Sequence, residues 1–306
     1  MSVRTLIGPA SARLGGGNSD VLVAACLWGT TGTVRTFVAA ATNLSIAAIR
    51  IGIGGLLLLT FAACTSRGAG LRRLLRTHRN WLLLVPGSVA MVTYQTAFFS
   101  AAARTGVAVG TVVTIGSAPA FAGLLAVLTR QVPLTARWLL ATAGAVTGCA
   151  ALVGGGREAG VEPLGIGLAL LSGLSYAVYA TVVSSLVSRG EEDRAVTGTL
   201  FAVAAVLVLP VLVSGSAAWV LTGSGALIAL YLGGVATAGG YLFFARGLRT
   251  TPATTATTLT LAEPAVAALL GVVVLGEVLG GMALAGLALL AASLLLLVLP
   301  SPKLRR

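Results

Sequence analysis

Apolar stretches of about 20 residues, long enough to cross a hydrocarbon core as α-helices, follow one another from end to end of the chain. Ten can be read, over roughly 21–41, 44–64, 81–103, 105–128, 135–154, 164–187, 195–213, 224–247, 252–275 and 280–299. A membrane barrel would need strands that alternate polar and apolar residues, and these stretches are apolar throughout. Inside lipid a segment must satisfy its own backbone hydrogen bonds, which again selects helices. The pattern predicts an all-α polytopic membrane protein with ten transmembrane helices.

Two stretches repeat each other. Phe98–Leu125 reads FFSAAARTGVAVGTVVTIGSAPAFAGLL, and Phe243–Leu270 reads FFARGLRTTPATTATTLTLAEPAVAALL. They align without a gap, pairing Phe98 with Phe243, Phe99 with Phe244, Arg104 with Arg249, Thr105 with Thr250 and Pro119 with Pro264. Spacing of nearly half the chain marks a duplication. It divides the chain into a tail over 1–20, a first five-helix repeat over 21–154, a linker over 155–163, a second repeat over 164–299 and a tail over 300–306. Five spans is an odd number, so the second repeat enters from the opposite side. Inverted repeats of this kind place a substrate site near the midplane where they meet.

Charge adds orientation. With the N-terminus inside, sixteen of the twenty Lys and Arg fall in inside segments. Five of these, Arg67, Arg72, Arg73, Arg76 and Arg79, share one loop. Arg104 and Arg157 fall outside, and Arg35 and Arg50 lie within spans. Positive residues gather on the cytoplasmic side, so both termini are expected there and the linker outside. The leader over 1–19 has no apolar core, and no cleavable signal peptide is expected. Composition agrees: 57% hydrophobic residues, 9% charged residues and a mean hydropathy of +1.00. The net charge of +12 sits in loops, which argues for anionic membrane lipid and against nucleic acid as its partner. Cys26, Cys64 and Cys149 lack metal-site spacing and read as small buried hydrophobes. Trp81, Trp138 and Trp219 lie near span ends, where interfacial aromatics belong.

Several segments resemble the drug/metabolite transporter superfamily, EamA type: LWGTTGTV at Leu27–Val34, AAIRIGIGGLLLL at Ala47–Leu59, the repeated FF…P pattern, and AEPAVAALLGVVVLGEVL at Ala262–Leu279. The resemblance spans about 21–298. It implies a ten-helix exporter or importer of small metabolites such as amino acids, without its own ATPase and without a cofactor. The first repeat departs from the pattern, with Ala118-Pro119 in place of Glu-Pro and Gln131 near the expected Gly-Glu, matched in the second repeat by Gly276-Glu277.

Glu263 is the leading candidate for chemistry. It lies about 16 Å along the ninth span, near mid-depth, where an ionisable group is costly and usually functional. It reads either as a carrier of a coupling proton or as a structural acid beside Pro264. Pro119 and Pro264 should kink spans four and nine. Arg50 reads equally as snorkelling or as a receptor for a carboxylate; an arginine in span two is also implied by the resemblance. For Arg35 snorkelling is the simpler reading. Trp28, Tyr94, Tyr176, Tyr179 and Tyr241 lie inside spans, where a polar tip needs a partner. They read as a cavity wall or as packing, with Gln95 and Phe98 beside them. The threonines at 254, 255, 257, 258 and 260 read as back-bonding or helix-linking groups, and Gly144-xxx-Gly148 and Gly106-xxx-Gly110 as close-packing sites.

The function expected is a secondary transporter of a small amphipathic solute, an exporter in the bacterial plasma (inner) membrane, acting as a monomer or weak oligomer. A membrane-embedded enzyme, a flippase and a channel are the alternatives. Enzyme chemistry is disfavoured: the one histidine, His78, lies in an inside loop, and Glu191, Glu192 and Asp193 resemble a solvated turn. No P-loop GxxxxGK[ST] is present.

Overall fold

The structure is a computed structural model. It describes residues 16–38, 41–129, 134–154, 162–213, 217–276 and 278–299, so Gln131 and Glu277 lie outside the described residues. Every regular element among those described is a helix. The first half contains α1 (Gly17–Arg35), α2 (Asn43–Cys64), α3 (Ala69–Arg76), α4 (His78–Thr105), α5 (Val107–Leu128) and α6 (Ala136–Gly154). The second contains α7 (Pro163–Ser188), α8 (Asp193–Leu207), α9 (Leu209–Val213), α10 (Gly223–Leu230), α11 (Gly240–Gly247), α12 (Ala253–Leu259), α13 (Ala262–Leu275) and α14 (Gly281–Val298). A π-helix, Tyr231–Gly239, joins α10 to α11. Seven described helical segments are long and apolar enough to cross a membrane, and Ala136–Leu152 is a shorter apolar helix.

Some expected spans are shifted or broken. The first helix starts at Gly17 and ends at Arg35, several residues before the expected 21–41. Its first turn takes in Asp20, which an apolar pattern rejects, because Arg246 grips that carboxylate through Nε at 2.7 Å and Nη2 at 2.5 Å. The span expected over 252–275 divides between Leu259 and Ala262. Pro264 cannot donate to the carbonyl of Thr260, four residues earlier. That carbonyl takes the N–H of Glu263 at 3.0 Å instead, a tighter three-residue turn. Pro119 sits inside a helix that continues through it. The expected loop over 67–79 contains the amphipathic α3, whose Leu74 is buried while its arginines are exposed.

Other expectations are corrected by packing. Trp138 and Trp219 are buried, donating Nε1–H to Thr254 O at 3.1 Å and to Ser45 Oγ at 3.0 Å; only Trp81 of the three is exposed. Cys26 and Cys64 lie on the outer surface, and only Cys149 is buried. The acidic cluster is not a free solvated turn. Glu191 accepts from Arg73 Nε at 3.2 Å and Asn80 Nδ2 at 3.0 Å, while the buried Asp193 lies 3.8 Å from Arg249.

Packing runs mostly across the halves. The most extensive contacts are α4 on α7, α6 on α14, α2 on α8, α5 on α7, and α1 on both α13 and α11. Glycines permit the closest approaches: a Cβ on Gly148 would meet Gly286 O at 2.8 Å and Leu290 N at 2.7 Å. The Gly144-xxx-Gly148 motif is therefore a packing face against α14. The threonine run is also structural. Thr254, Thr257, Thr258 and Thr260 are buried, Thr257 and Thr258 bond back to carbonyls four residues earlier, and Thr258 Oγ1 meets Thr142 Oγ1 at 2.9 Å.

Candidate functional site

A cavity of about 150 Å³ lies where α1, α2, α4, α5, α11 and α13 converge. Each helix contributes at a stagger that its direction dictates. Trp28, Gly29, Thr31, Gly32 and Arg35 come from the C-terminal half of α1, Tyr94, Gln95, Phe98 and Phe99 from the later part of α4, and Thr111 and Ile115 from the start of α5. Arg50 of α2, Tyr241 of α11, and Glu263, Pro264 and Ala267 of α13 complete the wall. The cavity thus occupies the end of the bundle remote from Asp20.

Of the residues singled out by sequence, Trp28, Arg50, Tyr94, Gln95, Phe98, Tyr241, Glu263 and Pro264 meet at this one wall. Arg35 joins them instead of turning away. Tyr176 and Tyr179 do not line the cavity. They belong to an aromatic layer beneath it, with Trp28 against Tyr241 at 4.8 Å, Tyr176 against Phe244 at 5.9 Å, Tyr179 against Tyr241 at 5.7 Å, and Phe201 against Tyr241 at 4.5 Å between ring centroids. Such pairs add about 0.5–1.5 kcal/mol each beyond their buried area, which makes the layer a firm floor. Pro119 lines no part of the cavity.

The wall is chemically mixed. Arg50 is 8% exposed and donates Nε–H to Thr237 Oγ1 at 3.2 Å. Glu263, half-buried, has no Lys, Arg or His nitrogen within 4.0 Å among the described residues, and Arg50 has no carboxylate within that distance. Two guanidinium groups, Arg35 and Arg50, and the carboxyl group of Glu263 therefore face one small space with no ion pair between them among the described residues. Trp28 Nε1, which faces the backbone of Gly240, and Thr31 Oγ1 are buried without a hydrogen-bond partner. Phe98 and Phe99, 5.2 Å apart, supply an apolar side. Thr31, Thr111 and Thr237 were not legible in the sequence, because threonine in a membrane helix most often serves the backbone. No group of three or more metal-ligating side chains occurs among the described residues.

Beyond the floor, the other end of the bundle is fastened. Asp20 and Arg246 form their bidentate pair there, and Thr251 Oγ1 donates to Asn18 Oδ1 at 2.9 Å. Gly247 lets α1 and α11 touch, since a Cβ there would meet Gly17 O at 2.8 Å.

Comparison with known proteins agrees with this architecture. The chain is 40% identical over 255 residues to the Uncharacterized transporter YwfM of Bacillus subtilis (strain 168), covering 82% of this chain and 83% of that protein. A protein of known crystal structure shares the fold at a TM-score of 0.77 and 20% identity, over 92% of this chain and 95% of its own. The EamA-like transporter family matches twice, over 17–154 and 163–299. Two matched units filling almost the whole of a multi-pass helical chain leave one assignment: it belongs to the EamA-like transporter family.

Proposed function

We propose that the chain is a ten-helix secondary transporter that moves a small amphipathic solute, an amino acid or a close relative, out of a bacterial cell by alternating access. The observation that carries this is the cavity itself, with Arg50, Glu263 and an aromatic wall gathered from both matched units. An amino acid offers a carboxylate to a guanidinium, an ammonium to a carboxylate, and a side chain to the aromatic wall. The cavity is smaller than the roughly 300–1,000 Å³ of drug-sized sites, which favours a metabolite over a bulky drug.

The packing supports a two-fold relation between the units, which the odd number of spans expected in each makes an inverted one. If α1 corresponds to α7, and α4 to the segment from α10 to α11, then the α4–α7 contact is the counterpart of α11–α1. Likewise α5–α7 corresponds to α13–α1, while α2–α8 and α6–α14 each map onto themselves. With both termini in the cytoplasm, as the arginine distribution suggests, the cavity faces outward. The aromatic floor and the Asp20–Arg246 pair then close the inner side. Arg72, Arg76 and Arg79, exposed and without a carboxylate within 4.0 Å among the described residues, lie against anionic headgroups. Glu263 carries the coupling proton in this scheme, since it is the one carboxyl group on the cavity wall among the described residues.

The test is a thermal-shift screen of the purified chain against the L-amino acids, nucleosides, sugars and cationic dyes. A ligand that binds the folded state raises the melting temperature. Saturable stabilisation by amino acids, lost in Arg50→Gln, is expected. Stabilisation by sugars or nucleosides alone would refute the substrate class.

A further inference from the structure

The segment facing Arg50 departs from regular helix. Over Tyr231–Gly239 it is π-helical, a rare, wide-turned form that recurs at functional sites. It bonds to two of the helices that line the cavity. Tyr231 OH meets Thr30 Oγ1 at 2.8 Å, and Thr237 Oγ1 accepts from Arg50 Nε at 3.2 Å. Gly240, the next residue, carries the indole of Trp28 on its bare backbone: a Cβ there would meet Trp28 Nε1 at 2.5 Å.

Thr237 is wholly buried, and its hydroxyl donates to Leu232 O at 2.7 Å, five residues back. In an α-helix a threonine bonds back three or four residues; the five-residue bond belongs to the π-helical register. With its proton committed there, the oxygen has only acceptor capacity left, and Arg50 Nε takes it. Gly54 sets the approach, since a Cβ on it would strike Thr237 Cγ2 at 2.6 Å. A guanidinium held through Nε still has its two terminal nitrogens, a fork that matches a carboxylate.

We infer that Thr237 is the positioning residue of the site: through the π-helical turn it fixes Arg50 so that the terminal nitrogens receive the anionic group of the solute. The inference rests on Arg50 contacting the solute, as in the preceding section. It also makes affinity depend on conformation. Arg50 and Thr237 belong to different matched units, so the receptor is assembled only while α2 stays packed on the π-helix, and it loosens when they part.

The experiment compares, by thermal-shift titration of the full chain in detergent, each of two L-amino acids with the amine lacking its carboxylate: L-phenylalanine with phenethylamine, and L-leucine with 3-methylbutylamine. Wild type should prefer the amino acids. Thr237→Val keeps the shape and loses the hydroxyl; it should weaken amino-acid binding about tenfold, about 1.4 kcal/mol, with the amines changed by less than about twofold. Thr237→Ser should behave as wild type. Equal weakening of acids and amines would reduce Thr237 to a structural group and overturn the inference. So would an unchanged preference in Thr237→Val when Arg50→Gln abolishes it. If wild type shows no preference, or Arg50→Gln keeps it, the reading of Arg50 itself fails, and the role of Thr237 falls with it.

Discussion

Arg50 and Glu263 face one cavity without an ion pair between them, and that arrangement sets what their substitution does. A carboxylate with no cation within 4.0 Å among the described residues contributes little to stability through pairing. Glu263→Gln, close in size, should therefore keep the melting temperature within a few degrees. In proteoliposomes it should retain solute exchange but lose accumulation driven by a proton gradient. Proton-driven accumulation at the wild-type level would remove Glu263 from coupling, and a large fall in melting temperature would make it a structural acid. Much of this wall was legible in the sequence. Trp28, Tyr94, Gln95, Tyr241, Arg50 and Glu263 all carry polar atoms within apolar spans, and lipid penalises such atoms unless they turn inward. The same reasoning reached Tyr176 and Tyr179 but could not separate a cavity wall from the layer beneath it. Both are buried, and one helical turn decides which role applies. Thr31 and Thr237 gave no signal, because a threonine can satisfy itself on its own backbone.

Among elements, the ends and breaks of helices were least legible. Asp20 marks where a hydropathy pattern ends the first span, yet the helix runs through it because Arg246, 226 positions away, supplies the partner. Long-range pairing of this kind leaves no local trace. The pair is half open to solvent on the arginine side, with side-chain exposures of 57% for Arg246 and 11% for Asp20. Asp20→Asn should thus cost on the order of 1 kcal/mol. Its larger effect should be on access: a cysteine replacing Phe244, in a background without Cys26, Cys64 and Cys149, should react faster with a polar thiol reagent once the pair is broken. The charge swap Asp20→Arg with Arg246→Asp should restore slow labelling, and equal labelling in all three would deny the pair any closing role. Glycine motifs were legible as contacts but not as to partner. Gly148→Leu drives a side chain into the backbone of α14, where Gly286 O and Leu290 N lie within 2.8 Å of a Cβ. Overpacking there should destabilise by about 1–3 kcal/mol, read as a lower melting temperature, with solute affinity in the folded fraction unchanged because neither helix lines the cavity.

For the whole molecule, the repeat in the sequence and the paired contacts in the fold are what the proposed mechanism needs. A duplicated chain places its two units around a shared cavity, and in the proposed scheme the aromatic rings and the Asp20–Arg246 pair seal it on one side. Alternating access requires that seal to open and the opposite side to close around bound solute. One departure from symmetry, Glu263 against Ala118, lets a duplicated frame carry a carboxyl group on one side of the cavity and not at the equivalent place on the other. The measurement that tests this most directly is counterflow. Proteoliposomes holding the purified chain are loaded with unlabelled amino acid, diluted, and given a trace of the labelled form outside. The account predicts transient, protein-dependent accumulation of label that saturates with external solute and disappears when the vesicles are loaded with buffer alone. Flux that rises linearly with concentration and ignores the internal solute would contradict it, and would make the cavity a pore.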